Sequence, residues 1–143
     1  MKDTTDCGML IKRISDSIAR ISNNELREND LTLTQIRYLE YLYLHACAPT
    51  PFKELEAFFQ VSQPTVTGIM RRLESKGLIL TQPVAYGGKA KAAVLTRDGA
   101  RRYEIADARR SEMETRLLAP LNDAEKARFC TLLQKVCQNL KEE

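Results

Sequence analysis

Phe59-Gln60-Val61-Ser62-Gln63-Pro64-Thr65-Val66-Thr67-Gly68-Ile69-Met70-Arg71-Arg72-Leu73-Glu74-Ser75-Lys76-Gly77-Leu78-Ile79 contains a helix start, a helix stop and two unlike faces between them. Ser62 stands where a cap is wanted, and Pro64 falls in the first turn, where its missing N–H costs nothing. Val66, Ile69, Met70 and Leu73 recur at i, i+3, i+4 and i+7, so one face belongs to a core. The other face offers Gln63, Thr65, Thr67, Gly68, Arg71 and Arg72. Lys76-Gly77 supplies a basic last turn and a left-handed stop.

Downstream, Leu78 to Thr81 and Ala92 to Leu95 read as two short strands. They are joined by a turn-rich tip that ends on Lys89 and Lys91. Thr96 is placed to cap a helix running to about Ala119, with Pro120 as its stop. Asn122 and Glu125 form a capping box ahead of Phe129, Leu132, Leu133, Val136 and Leu140 at helical spacing. Upstream, Thr50-Pro51 reads as a cap followed by proline at the first helical position, with Phe52, Leu55, Phe58 and Phe59 as a short apolar face. Before that, Thr34 is expected to cap a helix carrying Ile36, Leu39, Leu42, Tyr43 and Ala46. Leu10, Ile14, Ile18 and Ile21 mark a long amphipathic helix from about Asp6 to Asn29. The fold expected is mostly α with a small β-hairpin wing: a winged helix-turn-helix with long helices at both ends.

The chain has 143 residues, 43% of them apolar, enough for one core. Its net charge is +3, but eight basic residues lie between Ser62 and Arg102 against only Glu74 and Asp98. That basic island sits in an otherwise mildly acidic chain, and nucleic acid is the commonest partner of such a surface. No nucleophile with a base, carboxylate pair or phosphate-binding glycine loop is visible, so no enzyme and no cofactor are expected. Cys7, Cys47, Cys130 and Cys137 lack CxxC spacing and His45 is the lone histidine, which speaks against a metal site or a disulfide framework. No apolar stretch approaches the ~20 residues of a membrane span, and the N-terminus has no signal-like apolar region. A cytoplasmic location without membrane contact is the expectation.

Two short helices, the second with a polar and basic outer face, let one helix enter the major groove while the other braces it. The expected DNA contacts are Ser62, Gln63, Pro64, Thr65, Thr67, Gly68, Arg71 and Arg72, with Lys89 and Lys91 from the hairpin. Gln63 suits an adenine edge, and Thr65 and Thr67 suit phosphate oxygens or a thymine methyl. Arg71 and Arg72 suit the flanking backbone, and a bidentate contact to guanine is also open to them.

The opening segment, with its Leu-Glu-x-Lys-Gly-Leu-Ile ending, and the later Leu95-Thr96-x-x-Gly99 resemble the recognition helix and the post-wing helix start of the MarR family. The order of helices is similar along almost the whole chain. The resemblance implies one MarR-like chain over 1–143, with a winged helix-turn-helix lobe at 33–96 and dimerisation helices at 5–30 and 97–143. It implies a homodimer that presents two recognition helices to successive major grooves of a pseudo-palindromic operator in double-stranded DNA. Regulators of this kind are by tendency repressors released by small aromatic ligands, and Tyr38, Tyr41, Tyr43 and His45 lie near the crevice such a ligand would use. Other members sense oxidants, for which Cys7, near a helix start, is the candidate. The sensor position of the peroxide-responsive branch falls about a turn further on, near Leu10. Cys130 and Cys137, seven apart on one helix face, read as packing residues.

The chain departs from the family at two places. The wing tip is Tyr86-Gly87-Gly88-Lys89-Ala90-Lys91 where an aspartate and arginine pair is usual, and lysine lacks the planar fork that suits a narrow groove. Gly68 stands where a larger, commonly basic residue is frequent. These departures sustain an alternative reading, an interaction module that binds protein through the same basic face.

Overall fold

A computed structural model describes residues 6–84 and 88–141, with the backbone alone at 23–29. Six helices and a three-stranded sheet are formed among them: α1 (Cys7–Asn29), α2 (Leu33–Leu44), β1 (Thr50–Pro51), α3 (Phe52–Phe59), α4 (Gln63–Ser75), β2 (Ile79–Pro83), β3 (Lys91–Leu95), α5 (Arg97–Leu118) and α6 (Asp123–Lys141). This is the winged helix-turn-helix expected from the sequence, with one more strand.

The helix starts follow from their caps. Asp6 accepts a hydrogen bond from the Met9 backbone N–H at 2.8 Å and opens α1. The start of α2 differs from the expectation: Thr32, not Thr34, is the cap. Gln35 explains the shift, because at the third helical position it reaches back to the Thr32 N–H at 3.2 Å while its own N–H bonds Thr32 Oγ1 at 3.1 Å. Thr96 caps α5 through the Gly99 N–H at 3.0 Å. The Asn122 and Glu125 box forms as read, with bonds of 3.1 and 2.9 Å.

Thr50-Pro51 does not open a helix as the sequence suggests. These residues form β1, which pairs antiparallel with β3 through Thr50↔Ala93 and Pro51↔Ala92. A residue before proline is pushed toward the extended region, and Pro51 itself is extended at φ −61° and ψ 143°. Helix α3 therefore starts at Phe52, with Pro51 as its N-cap residue. The sheet order is β1-β3-β2, and the hairpin register runs from Ile79↔Leu95 to Pro83↔Lys91.

The chain forms two compact units, one ending at Ala106 and one beginning at Asp107, so α5 contributes to both. The core of the first unit joins Leu39 and Leu42 of α2, Leu55 of α3, Val66, Met70 and Leu73 of α4, and Leu78, Ile79 and Ala93 around the sheet. Tyr103 of α5 is buried against it. In the second unit α6 contains no buried residue, and Leu132, Leu133, Val136 and Leu140 are exposed. Cys130 and Cys137, read as packing residues, are exposed as well, because among the described residues nothing covers this face of α6.

One joint fixes the exit from α4. Gly77, at φ 74°, ends the helix, with the Gly77 N–H on the Glu74 carbonyl at 2.9 Å and the Leu78 N–H on the Leu73 carbonyl at 3.0 Å. This double closure is the Schellman arrangement. The Leu78 carbonyl then accepts from the Thr96 N–H at 3.1 Å, and the Thr96 hydroxyl donates to the Gly77 carbonyl at 2.8 Å. Gly99 lies directly over this peptide, where an added Cβ would come within 2.1 Å of the Leu78 oxygen and 2.7 Å of Leu95 Cδ1. Gly99→Ala is therefore expected to destabilise the fold by about 3 kcal/mol, the upper end for overpacking, since the obstacle is backbone. A urea titration checks this, and an unchanged midpoint would contradict the joint as described.

Candidate nucleic-acid interface

Helices α3 and α4 are joined by Gln60, Val61 and Ser62. Gln60 turns the chain through the left-handed region at φ 54°, and the Val61 N–H closes α3 on the Glu56 carbonyl at 3.1 Å. Phe52 and Leu55 bury α3. Val66, Ile69, Met70 and Leu73 are at most 7% exposed, which fixes the rotation of α4 about its own axis.

That rotation brings Ser62, Gln63, Pro64, Thr65, Arg71 and Arg72 to the surface and leaves Thr67 and Gly68 half-buried. Ser62 occupies the N-cap position but makes no capping bond to the backbone. Its hydroxyl instead pairs with Thr65 Oγ1 at 3.0 Å. The first-turn N–H groups of α4 therefore have no side-chain cap, the state in which a helix end accepts an anionic oxygen. Around Gly68 the nearest atom to an added Cβ would be Arg72 Nη1 at 3.9 Å, so no part of the chain requires glycine there.

Lys76, counted in the basic island, is turned elsewhere. Its ammonium donates to the Asp30 carbonyl and to Gln35 Oε1 at 3.1 Å, and lies 3.8 Å from the Asp30 carboxylate. It ties the end of α4 to the start of α2 and leaves Arg71 and Arg72 as the exposed cations of α4. A second tie is not readable in the sequence: the Thr81 hydroxyl meets both carboxylate oxygens of Glu74 at 3.1 and 3.0 Å. It holds β2 to the last turn of α4. Seven positions across a turn carry no periodic signal, so only the hairpin geometry reveals it.

In the wing, the Val84 N–H adds a rung to the Ala90 carbonyl at 3.0 Å, and Lys89 and Lys91 are exposed on either side of Ala90. Tyr86 and Gly87, part of the atypical tip, lie outside the described residues. Arg97 and Arg101 are exposed on the first turns of α5.

The aromatic residues of α2 are largely committed to packing. Tyr38 is 2% exposed and stacks on Phe59 with ring centroids 4.0 Å apart. Tyr41 is buried between His45, stacked at 4.0 Å, and Phe58 at 4.5 Å. Burial holds the Tyr38 phenol above its ordinary pKa; for Tyr41 desolvation leads and the Glu54 carboxylate adds to the rise. Tyr43 donates to Glu104 at 2.9 Å and packs on Tyr103. Cys7 is an exposed free thiol at the first residue of α1. Among the described residues no His, Cys, Asp and Glu cluster suited to a metal is present, and no helix is long and apolar enough to cross a membrane.

Comparison with known proteins places these features in context. Residues 31–83 match the sequence model of the MarR family. An uncharacterised HTH-type transcriptional regulator of Bacillus subtilis, YwoH, is 30% identical over 132 residues, covering 90% of this chain and 94% of its own. The fold is similar to that of MepR, a transcription regulator of the Staphylococcus aureus multidrug efflux pump MepA, with a TM-score of 0.76, 27% identity, and 95% of this chain and 99% of that one covered. The S. aureus MepR complex with DNA is similar at a TM-score of 0.75 and 27% identity, covering 97% of this chain and 99% of that one.

Gly68→Ala is expected to raise the unfolding free energy by about 1 kcal/mol, the helix-propensity difference. Urea unfolding measures it, and a loss of stability would mean that the half-buried site is tighter than its neighbours indicate.

Proposed function

The chain belongs to the MarR family of transcriptional regulators, and on that premise we propose that it is a homodimeric, sequence-specific DNA-binding repressor released by a small aromatic ligand. The observation that carries the reading is the split character of α4. One face is locked into the core, and the other exposes Gln63 and Thr65 at an uncapped N-terminus and Arg71 and Arg72 toward the opposite end. A helix so held offers donors and cations at fixed positions, as groove reading requires. Lys89 and Lys91 extend the positive surface as phosphate contacts, with little base selectivity.

The lobe at 33–96 is proposed as the reading head and the flanking segments as dimerisation helices. Exposed Met9, Leu10, Ile11 and Ile14 on α1, and Leu132, Leu133, Val136 and Leu140 on α6, support a partner chain, because two-fold pairing buries such stripes. Ligand release then acts through a difference in affinity between the DNA-competent arrangement and another one.

Fluorescence anisotropy on the DNA upstream of its own gene, against a scrambled duplex at two salt concentrations, tests the proposal. The upstream duplex should bind more tightly, with affinity falling steeply as salt rises. Arg72→Ala should weaken binding and lower the salt slope by about two, the effect of withdrawing one cation from one phosphate in each protomer of the dimer. Lys76→Ala should leave the slope unchanged, since that ammonium is engaged by Asp30 and Gln35. Equal, salt-insensitive binding to both duplexes would overturn the reading in favour of a protein-interaction module.

A further inference from the structure

A cavity of about 170 Å³, partly open to solvent, lies in the first unit, and no residue of α4 and neither Lys89 nor Lys91 lines it. The end of α2 (Leu42, Ala46), the loop that follows, Thr50 of β1 and the Ala93–Leu95 stretch of β3 line it, with the exposed Cys47 at its mouth. It includes no residue of α1 or α5 and none of Tyr38, Tyr41, Tyr43 or His45, so it shares none of the residues that the family resemblance implies for a ligand crevice.

Three features define what fits. The volume is close to that of an engineered apolar cavity of ~150 Å³ that takes up benzene. No carboxylate, ammonium or guanidinium lines it, so a charged molecule would lose hydration with no counter-ion in return. Thr50 is only 3% exposed, and its hydroxyl makes no hydrogen bond among the described residues. No fully enclosed side-chain polar atom among the described residues lacks a partner. The Thr50 hydroxyl therefore keeps some exposure, and the cavity is the space it lines.

We propose that this cavity is a second small-molecule site, which takes a neutral single-ring compound carrying one hydrogen-bonding group, held by the Thr50 hydroxyl. An occupant would lie between the end of α2 and β3 and brace the two-residue pairing of β1. The site goes beyond the repressor reading and does not depend on it.

Cys47 at the mouth provides the readout, and Cys7, Cys130 and Cys137, exposed in the single chain, serve as internal controls at whatever rate each labels in the native protein without a probe. Iodoacetamide labelling of each cysteine is followed by mass spectrometry with phenol or toluene added to the native protein, the two probes being alike in size. Phenol should slow the labelling of Cys47 several-fold and leave the other three unchanged, and should saturate at lower concentration than toluene. Thr50→Val should weaken phenol roughly five- to tenfold, the value of one hydrogen bond, without weakening toluene. Slowing at all four cysteines, or none at Cys47 up to the solubility limit, would overturn the site. Phenol protecting no better than toluene in the unmodified chain would overturn the role of Thr50, whether or not the valine variant folds.

Discussion

The peptide of Leu78 is the constraint on which the lobe depends. Its N–H finishes α4, its carbonyl receives the start of α5, and the Thr96 hydroxyl holds the neighbouring Gly77 carbonyl, so three changes of chain direction share one joint. Buried backbone groups must be paired, and here each pairing also sets the course of an element. The axis of α4, the departure of β2 and the return of β3 into α5 are consequently not independent. Gly99 admits this closeness because hydrogen is all that fits over the Leu78 oxygen. The spacing Leu95-Thr96-x-x-Gly99 is thus a geometric requirement for bringing a helix start down onto a helix end.

The electrostatics of the reading face are arranged by internal ties of the same kind. Lys76 and Glu74 stand beside Arg71 and Arg72 in sequence, yet both are held within the lobe, one to the start of α2 and one to β2. Net charge counts all four residues alike. The cations that α4 itself presents to solvent are the arginine pair, which is always charged and has a planar donor fork.

Much of this is legible in the sequence, because α4 is strongly periodic and its stop is marked by a glycine. The exposed face of α4, the hairpin, the Thr96 cap and the Asn122 box all follow from local chemistry. Local chemistry fails where two starts compete. Thr34 and Thr32 are both able to cap, and the reach of Gln35 decides between them. Thr50-Pro51 carries the marks of a helix start, but β3 recruits it as a strand, and β3 lies some forty residues away. The ties of Lys76 and Thr81 are equally hidden, since their partners are brought near only by the folded turn. The shared face of Cys130 and Cys137 points to packing, and among the described residues both thiols are exposed.

The added strand changes how the sheet meets the outside. With β3 in the middle, the two borders of the sheet are β1 and β2, and each contains a proline, Pro51 on one side and Pro83 on the other. A border strand normally offers a ladder of donors on which a foreign strand can be templated. A proline on each side removes a donor, and β1 is only two residues long. The small sheet is therefore poorly suited to recruiting further strands, and a crowded neighbour meets a border that resists aggregation.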